Sequence, residues 1–267
     1  MKNYIAIIQA RMNSTRLPNK AMKKIGDQTM LYHVIRQTLS SKFIKDVIIA
    51  TTNSKKDDKI INFCLKNNFK YFRGSNHDVL DRYYKCAKKF SCSSIIRISS
   101  DCPFIDPDVI DKVIRKFVTK KYDYVANNLA YIDNKWQNST CNFPQGMVIE
   151  ISSFGALEKA WVNAKKPSER EHVFPYVQFN PKIFHVSNVR NQKNHSFLRC
   201  TVDKHEDLEF VREIWKRFPK SKKIIHMDDI IKIIDKEPKL LQINKNTDFD
   251  EGYKKSLQKD KKLKNRI

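Results

Sequence analysis

Apolar positions along the chain follow two rhythms. Short runs such as Tyr4-Ile5-Ala6-Ile7-Ile8 and Val47-Ile48-Ile49-Ala50 carry no charge, as expected of strands buried on both faces of a parallel sheet. Between them lie segments with apolar residues at helical spacing, for example Ile60, Ile61, Phe63 and Cys64. The pattern predicts strands over Tyr4–Gln9, Asp46–Thr51, Phe69–Phe72, Ser94–Ile98 and Tyr122–Ala126. It predicts helices over Met30–Ser40, Asp57–Asn67, Val79–Phe90 and Asp108–Thr119. Pro107 suits the first turn of the last helix, with Asp106 before it as the cap. This alternation implies an α/β fold with a doubly wound, mostly parallel sheet and right-handed crossovers.

Beyond Asn127 the rhythm breaks. Asn127–Gln145 is polar and rich in turn residues, and Gly146–Ile151 is strand-like. Ser153–Asn163 reads as a helix, and so does Ser168–Val177, with Ser168 as its cap and Glu169 and Glu171 in its first turn. Ile183–Val189 and Leu198–Val202 alternate like strands, and Glu206–Arg217 and Met227–Asp235 are amphipathic. After Asn244 lysines are many and apolar residues few, so 244–267 reads as a basic flexible tail. The expected organisation is one domain over 1–243. In it, 1–126 form a ligand-binding half, 127–203 an inserted region and 204–243 closing helices.

Bulk properties narrow the class. At 267 residues, 40% hydrophobic and 30% charged, the chain can bury a sizeable core. No run approaches the length of a membrane span, and the N-terminus enters a strand with no leader-like pattern, so a cytoplasmic protein is expected. None of the six cysteines forms a CxxC pair, which predicts free thiols and no structural zinc. The net charge of +23 invites a nucleic-acid partner. Lysine is spread along the whole chain, however, and the densest basic run is Lys254 to Arg266, so nucleic acid is not the expected partner. A polyanionic small substrate would profit from the same positive field.

Candidate chemistry begins where the first strand ends. Arg11, Arg16 and Lys20 follow it, with Ser14 and Thr15 between them. Ligands of open α/β sheets bind at the carboxyl ends of strands. The loop has no glycine to bring backbone N–H groups to phosphate, so side chains must grip it, each charge-assisted bond contributing roughly 1.5–3 kcal/mol. A solvated basic loop is the competing reading. Asp101 follows Ser94–Ile98 and is placed to hold Mg²⁺ beside phosphates. Asp203 is either a second metal ligand or a helix cap. Arg73-Gly74-Ser75 is either a ligand-facing turn or a plain one. His172, in Glu169-Arg170-Glu171-His172, is either a general base or structural.

Taken in order, these groups resemble one family. Ile8-Gln9-Ala10-Arg11-Met12 with Ser14-Thr15-Arg16-Leu17-Pro18 and Lys20 resembles the opening of the SpsF-like cytidylyltransferases, relatives of the Kdo and acylneuraminate cytidylyltransferases. Phe72-Arg73-Gly74-Ser75, Asp78-Val79-Leu80-Asp81-Arg82, Asp101-Cys102-Pro103, Arg170-Glu171-His172-Val173 and Thr201-Val202-Asp203 extend the likeness over roughly 4–217. The resemblance implies a Rossmann-like sheet of the nucleotide-diphospho-sugar transferase type, CTP as nucleotide donor, Mg²⁺ and a homodimer formed through Asn127–Gln145. It implies that Ala10, Arg11, Ser14, Arg16, Lys20, Arg73, Gly74, Ser75 and Asp78 bind the nucleotide. Lys20, Arg11, Arg16 and Asp101 would carry catalysis, Asp101 and Asp203 the metal. Gly146, Glu150, Arg170, Glu171 and His172 would border the acceptor. Asn13 and Asn19 stand where many relatives have glycine, and asparagine tolerates left-handed backbone angles. Gly146-Met147-Val148-Ile149-Glu150 lacks an aspartate common in sugar-handling relatives, which leaves the acceptor open. A nucleotide-sugar glycosyltransferase is the rival of similar architecture, but its Asp-x-Asp metal motif is missing: Asp101 is followed by Cys102-Pro103.

Overall fold

The computed structural model describes residues 4–128, 131–132, 135–136, 142–247 and 251–264. In chain order the elements are β1 (Tyr4–Gln9), β2 (Lys24–Ile25), β3 (Gln28–Thr29), α1 (Met30–Leu39), β4 (Ile44–Thr52), α2 (Asp58–Lys66), β5 (Lys70–Gly74), α3 (Val79–Lys89), β6 (Ser94–Ser99), α4 (Pro107–Thr119), β7 (Tyr124–Ala126), β8 (Tyr131–Ile132) and β9 (Lys135–Trp136). Then come β10 (Glu150–Ser153), α5 (Phe154–Asn163), α6 (Pro167–His172), α7 (Pro175–Gln178), β11 (Val186–Asn188), α8 (His205–Lys216), α9 (Met227–Lys236) and α10 (Glu251–Lys264).

Seven strands form one sheet in the order β11-β7-β10-β6-β1-β4-β5. β1 pairs in parallel with both β4 and β6, and β4 with β5. β10 runs antiparallel between β6 and β7. The expected mostly parallel α/β sheet is therefore present, with one reversed strand. The pleat explains the uncharged runs: it sends alternate side chains of β1 to opposite faces, and both faces are covered. Ala6 and Ile8 join Val34, Ile110, Ile114 and Ile230 in one core. Ile7 joins Leu80, Tyr83, Ala156 and Leu157 in the other. Burying each such isoleucine contributes roughly 1.5–3 kcal/mol. Among the described residues no helix is long and apolar enough to cross a membrane. The five described cysteines are buried free thiols, and Cys141 lies outside the described residues.

Three expectations need correction. Ser168–Val177 is not one helix. It breaks at Val173, whose φ is +74°, leaving the short α6 and α7. Pro175 cannot donate an N–H and strains a helix running through it. Ser168 does not cap α6 either. Its N–H and hydroxyl both donate to Asp260 of α10, at 2.9 and 2.5 Å. Leu198–Val202 joins no ladder. It is an extended segment tied by one bridge, Gln145 to Arg199, and by the Val202 N–H to the Asp101 carbonyl, 2.8 Å. Finally, the stretch expected to be a flexible tail contains α10, which packs on α6. Its anchors are polar apart from the Tyr253 ring against His172, so the hydrophobic rhythm carried little trace of them. Most of the segment expected to form a dimer interface, residues 129–141, lies outside the described side chains.

Candidate active site

The loop after β1 is held open by its backbone and by two buried side chains, Met12 and Leu17. The Met12 N–H donates to Asp57, 2.7 Å, and the Ser14 and Asn19 N–H groups both donate to the Met12 carbonyl, at 3.0 and 3.1 Å. Asn19 adopts φ +59°, the left-handed angle that an asparagine accepts at little cost. It ends the loop and starts the short turn Lys20–Met22, which aims Lys20 inward.

The Lys20 ammonium is the centre of the site. It donates to Asp101 at 2.6 Å, to Asp203 at 2.8 Å and to the Val202 carbonyl at 3.0 Å. Burial works against its charge, but Asp101 and Asp203 outweigh burial and raise its pKa. Burial likewise opposes the charge on Asp101, and Lys20 reverses that, holding the carboxyl at about 2. Arg16 bonds the same Asp203 oxygen as Lys20, at 2.7 Å, and reaches Glu251 of α10 at 3.1 Å. Asp203 is fixed in turn by Arg199, 3.1 Å, and its N–H donates to Asp207, 2.9 Å. Asp207, not Asp203, therefore receives the backbone at the start of α8, since it also takes the Lys204 N–H at 3.0 Å.

These groups line a cleft of about 240 Å³ at the carboxyl ends of β1 and β6. Of the residues expected in the site, Ala10, Arg11, Ser14, Arg16, Lys20, Asp101, Glu171, His172 and Asp203 line it. His172 is pushed down to about 4, first by burial and then by the Arg97 charge. Ser256 of α10 donates to Glu171 at 2.9 Å and lies 3.1 Å from His172 Nε2, so its oxygen can accept the Nε2 proton of a neutral ring.

The other expected residues lie outside the lining. Arg73 is occupied by the Thr52 and Ser54 carbonyls, at 3.1 and 2.9 Å, and by Asp58, 2.7 Å. The Ser75 hydroxyl accepts the Asp78 N–H, 3.0 Å, and Asp78 caps α3 and pairs with Arg170. Gly74 is required because a Cβ there would meet Arg82 Cγ at 2.9 Å. Glu150 is bound by Arg97 and by Tyr124, the latter at 2.7 Å. Gly146 packs against backbone: its φ is +91°, and a Cβ would come within 2.7 Å of Thr201 N.

Two further cations that residue spacing did not single out also line the cleft, the buried Arg82 and the partly buried Arg97. A signal was present for both. Arg82 sits on the apolar face of α3 beside Val79 and Tyr83, and Arg97 interrupts the run Ile95-Ile96-Arg97-Ile98. Charged residues at core positions usually have a partner or a task. Arg82 bonds the Ser75 carbonyl at 2.8 Å, and so links the Arg73–Ser75 turn to the cleft. Asp106, Asp108 and His226 also converge, but they do not line the cleft, and Asp106 is engaged in receiving the N–H groups of Asp108 and Met227, at 2.7 and 2.5 Å.

The chain was compared with known proteins. It is 37% identical to an uncharacterised protein of Methanocaldococcus jannaschii, over 91% of this chain and 94% of that one. It is 30% identical to the spore coat polysaccharide biosynthesis protein SpsF of Bacillus subtilis, over 81% of this chain and 88% of that one. A solved cytidylyltransferase from Leptospira borgpetersenii superposes with a TM-score of 0.81 at 32% identity, covering 93% of this chain and 99% of its own. The family model described as cytidylyltransferase matches residues 5–254, and the chain belongs to that family.

Proposed function

We propose that the protein transfers CMP from CTP to a sugar or a phosphorylated small molecule, with release of pyrophosphate, in surface polysaccharide or glycan biosynthesis. The observation that carries this reading is the Lys20 ammonium bridging Asp101 and Asp203, with Arg16 on the same Asp203 oxygen. Phosphoryl transfer asks little covalent work of a protein and much positioning of charge. Arg11, Arg16 and Lys20 would orient the triphosphate and neutralise charge that builds on the leaving pyrophosphate. Asp101 and Asp203 fit Mg²⁺, because two carboxylates converge on one cation in a partly dry cleft, and oxygen is the donor that ion takes. Bound there, it would supply polarisation of the α-phosphate. A phosphate acceptor needs no base. A hydroxyl acceptor does, and the neutral His172 ring lines the cleft.

The test is pyrophosphate release with CTP, UTP, ATP and GTP against a panel of acidic sugars and phosphorylated metabolites. Release confined to CTP supports the reading, and turnover of another nucleotide with CTP inert would overturn it. A homodimer is also proposed, and a monomeric mass by light scattering at assay concentration would refute it.

A further inference from the structure

The last described helix brings a carboxylate to Arg16, a residue of the cleft lining. Glu251 Oε2 lies 3.1 Å from Arg16 and 3.7 Å from the Lys204 ammonium, while Oε1 takes Lys255 at 2.5 Å. Its neighbour Gly252 lines the cleft. The rest of α10 is fixed to α6: Ser256 donates to Glu171, and Asp260 receives both the N–H and the hydroxyl of Ser168. Glu251 is thus held where it is by the helix behind it. Its carboxylate oxygen, shared between a guanidinium and an ammonium, occupies the position a phosphate oxygen would take between those two groups.

We propose that Arg16 and Lys204 together form the subsite for the outer, leaving phosphates of a nucleoside triphosphate, and that Glu251 fills that subsite until the nucleotide displaces it. The proposal rests on the nucleotidyl-transfer reading above and adds a substrate contact, Lys204, and a competitor, Glu251. The displacement follows from charge. A carboxylate and a phosphate cannot share the two cations without like-charge repulsion, and the phosphate brings more charge and more acceptor oxygens. Lys204 is well placed for the task because Asp207 pins its backbone N–H, its ammonium shares the Glu251 oxygen with Arg16, and its side chain remains about a third exposed.

Isothermal titration of the full chain with CTP, and separately with inorganic tripolyphosphate, tests this. Glu251→Gln removes the competing charge and is expected to tighten both ligands about two- to fivefold, the range of a partly exposed ion pair. Lys204→Ala is expected to weaken both about two- to fivefold. Opposite signs are the signature, since a merely structural pair would shift both variants the same way. Unchanged or weakened binding by Glu251→Gln, or unchanged binding by Lys204→Ala, overturns the proposal. If wild-type protein binds tripolyphosphate but not CTP, the cytidine reading fails while the two opposite shifts still uphold the subsite. If it binds neither, both fall.

Discussion

Lys20 has three partners and no spare burial to cushion their loss. Lys20→Ala would leave Asp101 without its cation and, on the proposed reading, the leaving pyrophosphate without one of its counter-charges. Turnover by pyrophosphate release is expected to fall at least about tenfold, equivalent to ~1.4 kcal/mol, and Asp101→Ala to do the same. Near-normal release from either variant would remove that residue from the chemistry. Asn19 offers a contrasting case in the same loop. With φ at +59°, Asn19→Gly should leave stability nearly unchanged, whereas Asn19→Val should cost about 1–2 kcal/mol in urea denaturation. Lys20 was visible in the chain itself as a cation after a strand, and Asn19 through the resemblance, as an asparagine where many relatives have glycine. What spacing could not reveal was convergence. Lys20, Asp101 and Asp203 come from three segments: pairing of β1 with β6 sets the first two side by side, the bond from the Val202 N–H to the Asp101 carbonyl brings in the third, and both carboxylates lie within 3 Å of the Lys20 nitrogen.

Elements differed in how openly they declared themselves. β1, β6 and α4 match their predicted ranges to within a residue, because a short isoleucine-rich run and a Pro107 start are strong local signals. α10 gave no such signal. Among its described side chains only Ser256 is fully covered, and its docking is built from Asp260, Ser256 and Glu251 with a single ring contact, Tyr253 edge-on to His172. A hydrophobic pattern reports burial of hydrocarbon and is silent about polar clasps. The same reasoning gives a prediction. Asp260 acts as a cap supplied from another helix, so Asp260→Ala should cost about 0.5–2 kcal/mol, the usual cost of losing a cap, seen as a lower midpoint in thermal unfolding. An unchanged midpoint would mean that α6 does not depend on α10. Leu198–Val202 failed in the opposite way: its alternation is real, but a segment pinned against Gly146 and Asp101 needs no ladder to be extended.

At the scale of the molecule, the response to acid should be set by buried histidines together with paired carboxylates. His33 and His172 are each held down to about 4, His33 by burial first and His172 by burial and then by Arg97. Between about pH 6.5 and 4 the unfolded chain binds protons that the folded chain refuses. Stability is therefore complete above pH 6.5 and falls as pH drops through that window, by at most about 3 kcal/mol for each ring. Asp101, depressed to about 2 by Lys20 against its own burial, loses its contribution only below about pH 4. Urea midpoints across pH 4–8 should show the first decline, and His33→Gln should lessen it if the variant folds. A flat profile from pH 7 to 4.5 would contradict the assignment.

The contact between Arg16 and Glu251 joins positions 235 residues apart. Proteins are made from the N-terminus onward, and domains fold as they emerge. All seven strands of the sheet, the cation loop and Asp203 are synthesised before α10 exists. A nascent chain can therefore assemble the cleft while Arg16 still lacks its contact with Glu251, and Gly252 adds its part of the lining only once α10 has been made. The order of synthesis makes α10 a late addition to a site whose cation loop and two carboxylates are already in place.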